Sequence, residues 1–340
     1  VQTPPPQMLR GSNENPAIVA KPIRKSAQFD LLPHPSGLIQ CPSESGLKGA
    51  DRVTTASSWL ITGANGQIGR RLTARLGDQA QGLSHAQLDI TDPAALRDVV
   101  RHYRPALLVN CAAFTHVDGA ESDTAAAHAV NAQAPARLAE TCRMAGIPLI
   151  HLSTDYVFDG QARSPYDEDA ATAPLSVYGE SKLQGEQAVL ASGAVSAVLR
   201  TAWVFDRPDE GFVGAVLRRG RQQDSLNMVA DQWGCPTPAA AVAEAIHRIG
   251  ERLLAGRGET GLFHYAGAPV ANRLDWARAI LDAGGLDHVA LQPVSSDAFP
   301  TPARRPVYSA LDCRRILGAF GLRQPDWRAA LQHSITETLS

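Results

Sequence analysis

"SSWLITGANGQIGRRLTARLG", residues 57–77, reads as a short apolar strand, a glycine-rich turn and an amphipathic helix with Ile68, Leu72 and Leu76 on one face. Gly63, Gly66 and Gly69 are spaced G-x-x-G-x-x-G. In turn they let the chain bend sharply, let backbone approach a pyrophosphate, and let helix pack closely against strand. The helix N-terminus then offers free N–H groups and a positive dipole end to an anion. A purely structural glycine turn is the alternative. The strand before it and the helix behind it favour a dinucleotide site.

Outward from this unit, strand and helix patterns alternate. "AQGL" (80–83) is a candidate second strand, and "DPAALRDVVRHYRP" a helix with Asp92 at its N-cap and Pro93 at N1. "ALLVN" (106–110), "IPLIHLS" (147–153) and "VSAVLRTAW" (195–203) read as buried strands. "AAAHAVNAQAPARLAETCRMAG" is a long helical stretch ending at Gly146, which Pro135 is expected to bend or divide. Continuous apolar strands between helices predict a doubly wound parallel α/β sheet, a Rossmann domain over residues 58–205. Residues 206–340 are then a smaller α/β substrate-binding domain. Ligands in such folds lie beyond the carboxyl ends of the strands, where Asn110–Ala113, Ser153–Asp155 and Thr201–Trp203 fall.

Composition excludes several classes. The 340 residues carry a formal net charge of −2, which argues against a nucleic-acid or membrane-surface partner held by a basic patch. The longest apolar runs are strand-length, short of the roughly 20 residues a membrane span needs. The five cysteines (41, 111, 142, 235 and 313) form no Cys-x-x-Cys, so a disulfide framework or zinc ribbon is not expected and a reducing cytoplasm is. Residues 1–57 are rich in Pro, Ser, Gly and Asn without apolar periodicity, and are expected to be a disordered leader. They lack a signal peptide's apolar core.

Between Ser57 and Ser340 every basic side chain but one is arginine; Lys182, in "VYGESK" (177–182), is the exception. A compact, tunable ammonium does what guanidinium cannot. Four residues earlier on the same predicted helix stands Tyr178, so the two share a face. A nearby ammonium is expected to lower the phenol pKa toward a useful range. An ordinary exposed helix pair is the bland alternative.

The stretches "TGANGQIG", "LDITD" (88–92), "VNCAAFTHVDGAE" (109–121), "HLSTDYVFDG" (151–160), "PLSVYGESKLQGE" (174–186), "LRTAWVF" (199–205), "VADQWGCPT" (229–237) and "RRPVYSALD" (304–312) occur in order along the chain. With them residues 58–340 resemble the dTDP-4-dehydrorhamnose reductase family of the extended short-chain dehydrogenase/reductases. The resemblance implies reduction of the 4-keto group of dTDP-4-dehydro-6-deoxy-L-mannose to dTDP-L-rhamnose, in the cytoplasm, by hydride from NADPH. It implies a triad of Thr154, Tyr178 and Lys182, with Tyr178 protonating the ketone oxygen, Lys182 bonding the nicotinamide ribose and Thr154 polarising the carbonyl. Ser153 competes with Thr154, because neighbouring hydroxyls alternate faces at a strand end. Cofactor contacts are implied for Gly63, Asn65, Gly66, Gln67, Ile68, Gly69, Ser84, Asp89, Ile90, Ala112, Ala113, Tyr178 and Lys182. Substrate contacts are implied for Thr154, Asp155, Trp203 and Arg305.

Some roles stay open at this level. Trp203 offers a flat face to a sugar or fills the core. Arg304 or Arg305 clamps the pyrophosphate, or both are a solvated loop. Asn131 resembles an Asn that kinks a helix and holds a relay water, or else bonds backbone. The family's Asn-Phe-Val is replaced by "GFV" (211–213), and its Gly-x-x-x-x-Ser-Trp run by "GAPVANRLDWA" (267–277). Both changes bear on substrate choice.

The cofactor preference follows from the residues after "QAQGL". Ser84 and His85 stand where NAD enzymes place a carboxylate, and none occurs until Asp89. Arg70 and Arg71 are within reach of a 2′-phosphate from the helix start. NADPH is therefore expected over NADH, with NADH accepted as in many relatives. No metal site is evident, although some relatives hold Mg²⁺ at a subunit interface, and a homodimer is compatible with the resemblance. The partner is a small nucleotide sugar, with no nucleic acid and no membrane. A nucleotide-sugar epimerase and a non-catalytic subunit like the regulatory subunit of methionine adenosyltransferase are the alternatives.

Overall fold

The computed structural model describes residues Trp59–Leu339, and the leader expected over 1–57 lies outside the described residues. In chain order the first half contains β1 (Trp59–Thr62), α1 (Gln67–Leu76), β2 (Ala80–Leu83), α2 (Pro93–Tyr103), β3 (Leu107–Asn110), α3 (Val117–Ser122), α4 (Thr124–His128), α5 (Ala134–Ala145), β4 (Leu149–Thr154), α6 (Val177–Ala191) and β5 (Ser196–Thr201). The second contains β6 (Val204–Phe205), α7 (Gly211–Gly220), β7 (Ser225–Val229), β8 (Trp233–Gly234), β9 (Thr237–Pro238), α8 (Ala239–Leu254), β10 (Gly261–His264), β11 (Ala271–Asn272), α9 (Arg273–Ala283), β12 (Ala290–Val294), α10 (Arg314–Phe320) and α11 (Trp327–Leu339).

Six parallel strands form one sheet in the order β10-β5-β4-β3-β1-β2. Side chains alternate across a strand, so the two faces can be read from the sequence. Trp59, Ile61, Leu107, Val109, Ile150, Leu152 and Leu199 pack with α1 and α8. Leu60, Leu108, Leu149 and Val198 pack with α2, α5 and α6. This is the doubly wound sheet that the uninterrupted apolar strands predict. Its last strand, β10, lies well past residue 205, and α8 packs on α1, so the two halves of the chain interleave. A separate core of Val216, Leu217, Trp276, Ile280, Trp327 and Leu331 joins α7, α9 and α11.

The caps act as read. Asp92 Oδ1 accepts from the N–H groups of Ala94 and Ala95, with Pro93 beside it in the first turn. The long helical stretch is interrupted just before Pro135. The backbone stays right-handed helical, but a π-helical turn at Ala129–Gln133 separates α4 from α5, and the N–H that Pro135 lacks would have faced the carbonyl of Asn131 within that turn.

Candidate active site

The turn between β1 and α1 leaves room only for glycine at two points. Gly63 has φ +68°, and a Cβ there would meet the Ala112 nitrogen at 2.6 Å. A Cβ on Gly69 would lie 2.3 Å from the Gly63 carbonyl oxygen. Gly66 caps α1 without a side-chain bond, so the first N–H groups of the helix remain available to an anion. Gln67 Oε1, at the same turn, is buried without a hydrogen-bond partner among the described residues. Asn65 is exposed at the tip, while Ile68 is buried beneath. Ala112 and Ala113, just past β3, face the turn half-buried. A cradle of uncommitted amides fits a dinucleotide pyrophosphate.

Beyond β2 the backbone N–H and the hydroxyl of Ser84 both donate to Gln87 Oε1. Asp89 is exposed and accepts from the Thr91 N–H and hydroxyl, which hold its pKa below the usual range, while Ile90 is buried. The arginines at the helix start do not stand free for a phosphate. Arg70 pairs with Asp206 at 3.0 Å and Glu210 at 2.7 Å, and Arg71 pairs with Asp206 at 2.5 Å. Two carboxylates after β6 neutralise both cations and tie α1 to that loop.

Thr154 ends β4, and Tyr178 lies in the first turn of α6, which Ser176 caps by accepting from the Gly179 N–H. A Cβ on Gly179 would meet the Tyr156 carbonyl oxygen at 2.2 Å, so the helix start lies directly on the segment after β4. Thr154 lies beside Tyr178, and its hydroxyl acts to lower the phenol pKa. Lys182 is buried one turn on, and its Nζ donates to the Leu152 carbonyl at 2.6 Å. Burial brings its pKa down to about 8 against the opposing charge of Glu186. The phenol departs from expectation. Burial raises the Tyr178 pKa, and Lys182 is not among the groups that lower it. Tyr178 is a protonated acid at neutral pH.

Ser153 points away from this group. Its hydroxyl donates at 2.8 Å to Glu186, which is itself paired with Arg200 in the buried interior. Thr154 is the hydroxyl on the Tyr178 side. Asn131 is buried in the π turn; its side chain bonds the N–H and carbonyl of Phe114 and the Ser181 hydroxyl. Its polar atoms pin the loop after β3 to α6, in keeping with the backbone-bonding alternative.

On the far side of Thr154, Asp155 is buried, accepting from Thr154 at 3.1 Å and from the Ser309 hydroxyl at 2.5 Å. Burial lifts its pKa to about 6. Trp203, at φ 44°, is half-buried and stacks on Trp276 at 5.5 Å. Arg273 lies over its ring at 3.5 Å. Arg304 is exposed, whereas Arg305 makes a two-pronged pair with Asp118 of α3. Tyr156, its ring edge-on to Tyr178 at 5.5 Å, is flanked by both Arg273 and Arg305.

Sequence patterns single out neither Arg273 nor Ser309. Their only signal is that each falls in a stretch notable on other grounds, "GAPVANRLDWA" and "RRPVYSALD". Among the described residues no three His, Cys, Asp or Glu side chains group to hold a metal, and no helix is long and apolar enough to cross a membrane. Burial raises the thiols of Cys111, Cys142 and Cys235 to about 12, so they are inert packing.

The RmlD substrate binding domain family matches residues 57–340. A dTDP-4-dehydrorhamnose reductase of Mycobacterium tuberculosis is 44% identical over 282 residues, covering 80% of this chain and 90% of that one. A Streptomyces antibioticus protein named probable dTDP-4,6-dihydroxy-2-methyloxan-3-one 4-ketoreductase is 42% identical over 286 residues, covering 83% and 96%. The crystal structure of dTDP-4-dehydrorhamnose reductase from Bacillus anthracis in complex with NADP superposes with a TM-score of 0.77 at 32% identity, covering 83% of this chain and all of that one.

Proposed function

The chain belongs to the dTDP-4-dehydrorhamnose reductase family, and on that premise we propose how its residues carry the reaction. It is an NADPH-dependent oxidoreductase that reduces the 4-keto group of dTDP-4-dehydrorhamnose to give dTDP-L-rhamnose. Bound NADPH supplies the hydride to the carbonyl carbon. Everything else falls to the chain. The support for the reading is Tyr178 in the first turn of α6 beside Thr154 at the end of β4, with Lys182 one turn on and bonded to the Leu152 carbonyl of the same strand.

Tyr178 gives its proton to the ketone oxygen as negative charge develops there. Its burial keeps the phenol protonated until that moment and makes the departing proton one that must be restored afterwards. Lys182, still cationic near neutrality, offers the N–H groups not used on Leu152 to the nicotinamide ribose and so fixes where the cofactor sits. Thr154 orients the phenol by hydrogen bonding. Gly63, Asn65, Gly66, Gln67, Ile68 and Gly69 hold the pyrophosphate. Ser84, Asp89, Ile90, Ala112 and Ala113 line the adenosine side. Asp155 and Trp203 face the sugar, and Arg305 contributes charge toward the diphosphate. In this division residues 58–205 serve mainly the cofactor and 206–340 the nucleotide sugar, and the enzyme works in the cytoplasm beside its nucleotide-sugar supply.

A second substrate has one specific support, the relative named for a 4-ketoreduction on a 2-deoxy ring. The deciding assay supplies dTDP-4-keto-6-deoxyglucose with its 3,5-epimerase and follows loss of NADPH absorbance. Turnover that depends on the epimerase is expected. Consumption of NADPH without the epimerase, or none with it, overturns the rhamnose assignment.

A further inference from the structure

α9 begins with a residue its helix does not want. Asn272 caps it, accepting from the Asp275 N–H at 2.7 Å, and the first helical residue is Arg273. A cation there opposes the helix dipole. Nothing in the local structure of α9 calls for an arginine.

Its surroundings hold the guanidinium still without neutralising it. The guanidinium carbon lies 3.5 Å from the Trp203 ring centre, 5.1 Å from that of Phe212 and 5.4 Å from that of Trp276. Stacking of this kind fixes the plane of the group and leaves its N–H edges for other partners. Tyr156 lies beside it and favours the charged form. Among the described residues no carboxylate comes within 4.0 Å of it, the limit of an ion pair. Asp155, which favours the cation from beyond that limit, is already accepting from Thr154 and Ser309. Arg305 differs in this respect, since Asp118 neutralises it. Arg273 is half-buried, so it has lost part of its water, which lowers its pKa, while its remaining N–H edges stay open to an acceptor from outside.

That acceptor is placed by the neighbours. Trp203 follows the end of β5, and Asp155 follows Thr154 at the end of β4, so the remaining donors sit at the reacting end of the site. Arg273 also belongs to the stretch where this chain departs from the family run. We propose that Arg273 is a specificity-determining residue, donating from its fixed guanidinium to a ring hydroxyl of the keto sugar. The proposal rests on the keto-sugar reductase reading above. A site built to hydrogen-bond a hydroxyl rejects analogues lacking it far more strongly than an apolar wall does. Arg273 would therefore separate keto sugars that differ by one ring hydroxyl, the difference between the substrate names of the two relatives described above.

Arg273→Leu keeps apolar bulk over Trp203 and removes every donor; Arg273→Gln keeps a planar donor without the charge. Each is compared with wild type by calorimetric binding of dTDP and of dTDP-L-rhamnose. Each is also assayed for kcat/KM on the keto sugar and on its 2-deoxy and 3-deoxy analogues. Arg273→Leu is expected to weaken dTDP-L-rhamnose at least about tenfold while dTDP changes less than about threefold, and to erase most of the discrimination against one deoxy analogue. Arg273→Gln should recover part of both. Equal losses for dTDP and dTDP-L-rhamnose would make Arg273 a diphosphate ligand and overturn the proposal, as would unchanged discrimination against both analogues. If Arg273→Leu does not fold, Arg273→Gln carries the same comparison. Wild type that binds both ligands but turns over no keto sugar counts against the reductase reading, while the binding ratio still decides the role of Arg273.

Discussion

The Thr154 hydroxyl gives its single hydrogen to Asp155 Oδ1 at 3.1 Å, and so meets the Tyr156 N–H, at 3.2 Å, only as an acceptor. Tyr178 lies beside the same hydroxyl, which acts to lower the phenol pKa against the larger effect of burial. Donation to a phenolate or to a ketone oxygen requires the Thr154 hydroxyl to turn away from Asp155. The carboxylate is anchored on its other oxygen by Ser309, at 2.5 Å. Asp155 thus sets which way the Thr154 hydroxyl points beside Tyr178.

Asp155 should also leave a signature in stability. Its pKa rises from 3.8 to about 6 on folding, because burial disfavours the charge. Between those values the folded chain holds the proton more tightly than the unfolded one, so stability falls as pH rises through the window. Above about pH 6 the full cost is present, on the order of 3 kcal/mol. Asp155→Asn removes it, with Ser309 free to reverse its bond. Urea midpoints of the variant should exceed wild type at pH 7 and converge with it near pH 4. A constant gap across that range would refute the assignment.

Tyr178→Phe removes the acid while leaving the ring edge-on to Tyr156. Turnover should drop on the order of 10²–10⁴, with NADPH affinity held within about threefold. Near-normal turnover would mean that another group delivers the proton.

The two hydroxyls at the end of β4 should separate cleanly. Thr154→Ala loses the group that orients Tyr178, and turnover should fall at least about tenfold. Ser153→Ala removes only one bond to Glu186, which Arg200 still holds, so turnover should stay within about twofold. Glu186→Leu strands the Arg200 charge in the interior and should cost about 3–5 kcal/mol of stability. The test is thermal unfolding beside the kinetics of all three. Loss of turnover in Ser153→Ala with Thr154→Ala intact would reverse the assignment.

Local patterns carried most of the fold and the centre of the site. The glycine spacing at 63–69, the Asp92 cap and the Tyr178–Lys182 pair each lie within one helical turn or one strand–helix unit, where spacing maps directly onto geometry. What escaped the sequence involves partners far apart along the chain. Arg70 and Arg71 look free for a phosphate until Asp206, some 136 residues on, is folded against them. Asp155 and Ser309 are 154 residues apart. Sequence spacing gives the phenol one neighbouring charge, Lys182, while in the structure burial is the largest influence and Lys182 is not among those that lower its pKa. Desolvation sums over the whole surrounding fold, and no short motif encodes it.

Cofactor choice is tested at Ser84. With Arg70 and Arg71 neutralised by Asp206 and Glu210, a carboxylate introduced beside the ribose would face little compensating charge. Ser84→Asp should lower kcat/KM for NADPH and raise the NADH-to-NADPH ratio at least about tenfold, since each 1.4 kcal/mol of repulsion is one decade. Charge removal at Arg70 or Arg71 should leave the ratio unchanged. A ratio that moves with the arginines and not with residue 84 would relocate the 2′-phosphate.

Lys182 should show activity and stability moving in opposite directions with pH. Burial holds its ammonium at about 8 in the folded chain against 10.5 unfolded. Below about pH 8 both states carry the proton, and the folded state bears the full cost of burying the charge, on the order of 3 kcal/mol. Between about 8 and 10.5 the unfolded chain binds more protons, so this residue's contribution to stability rises with pH. Activity follows the ammonium and should fall over the same interval, because the neutral amine has fewer and weaker donors for the nicotinamide ribose. Lys182→Met should unfold at a higher temperature than wild type at pH 7, lose that advantage by pH 10, and turn over on the order of 10² or more slower throughout. Lys182→Arg should not rescue turnover, because the Leu152 carbonyl at 2.6 Å leaves room for an ammonium and not for a planar fork. An alkaline limb of kcat/KM that survives unchanged in Lys182→Arg would show that another group sets the upper pH limit.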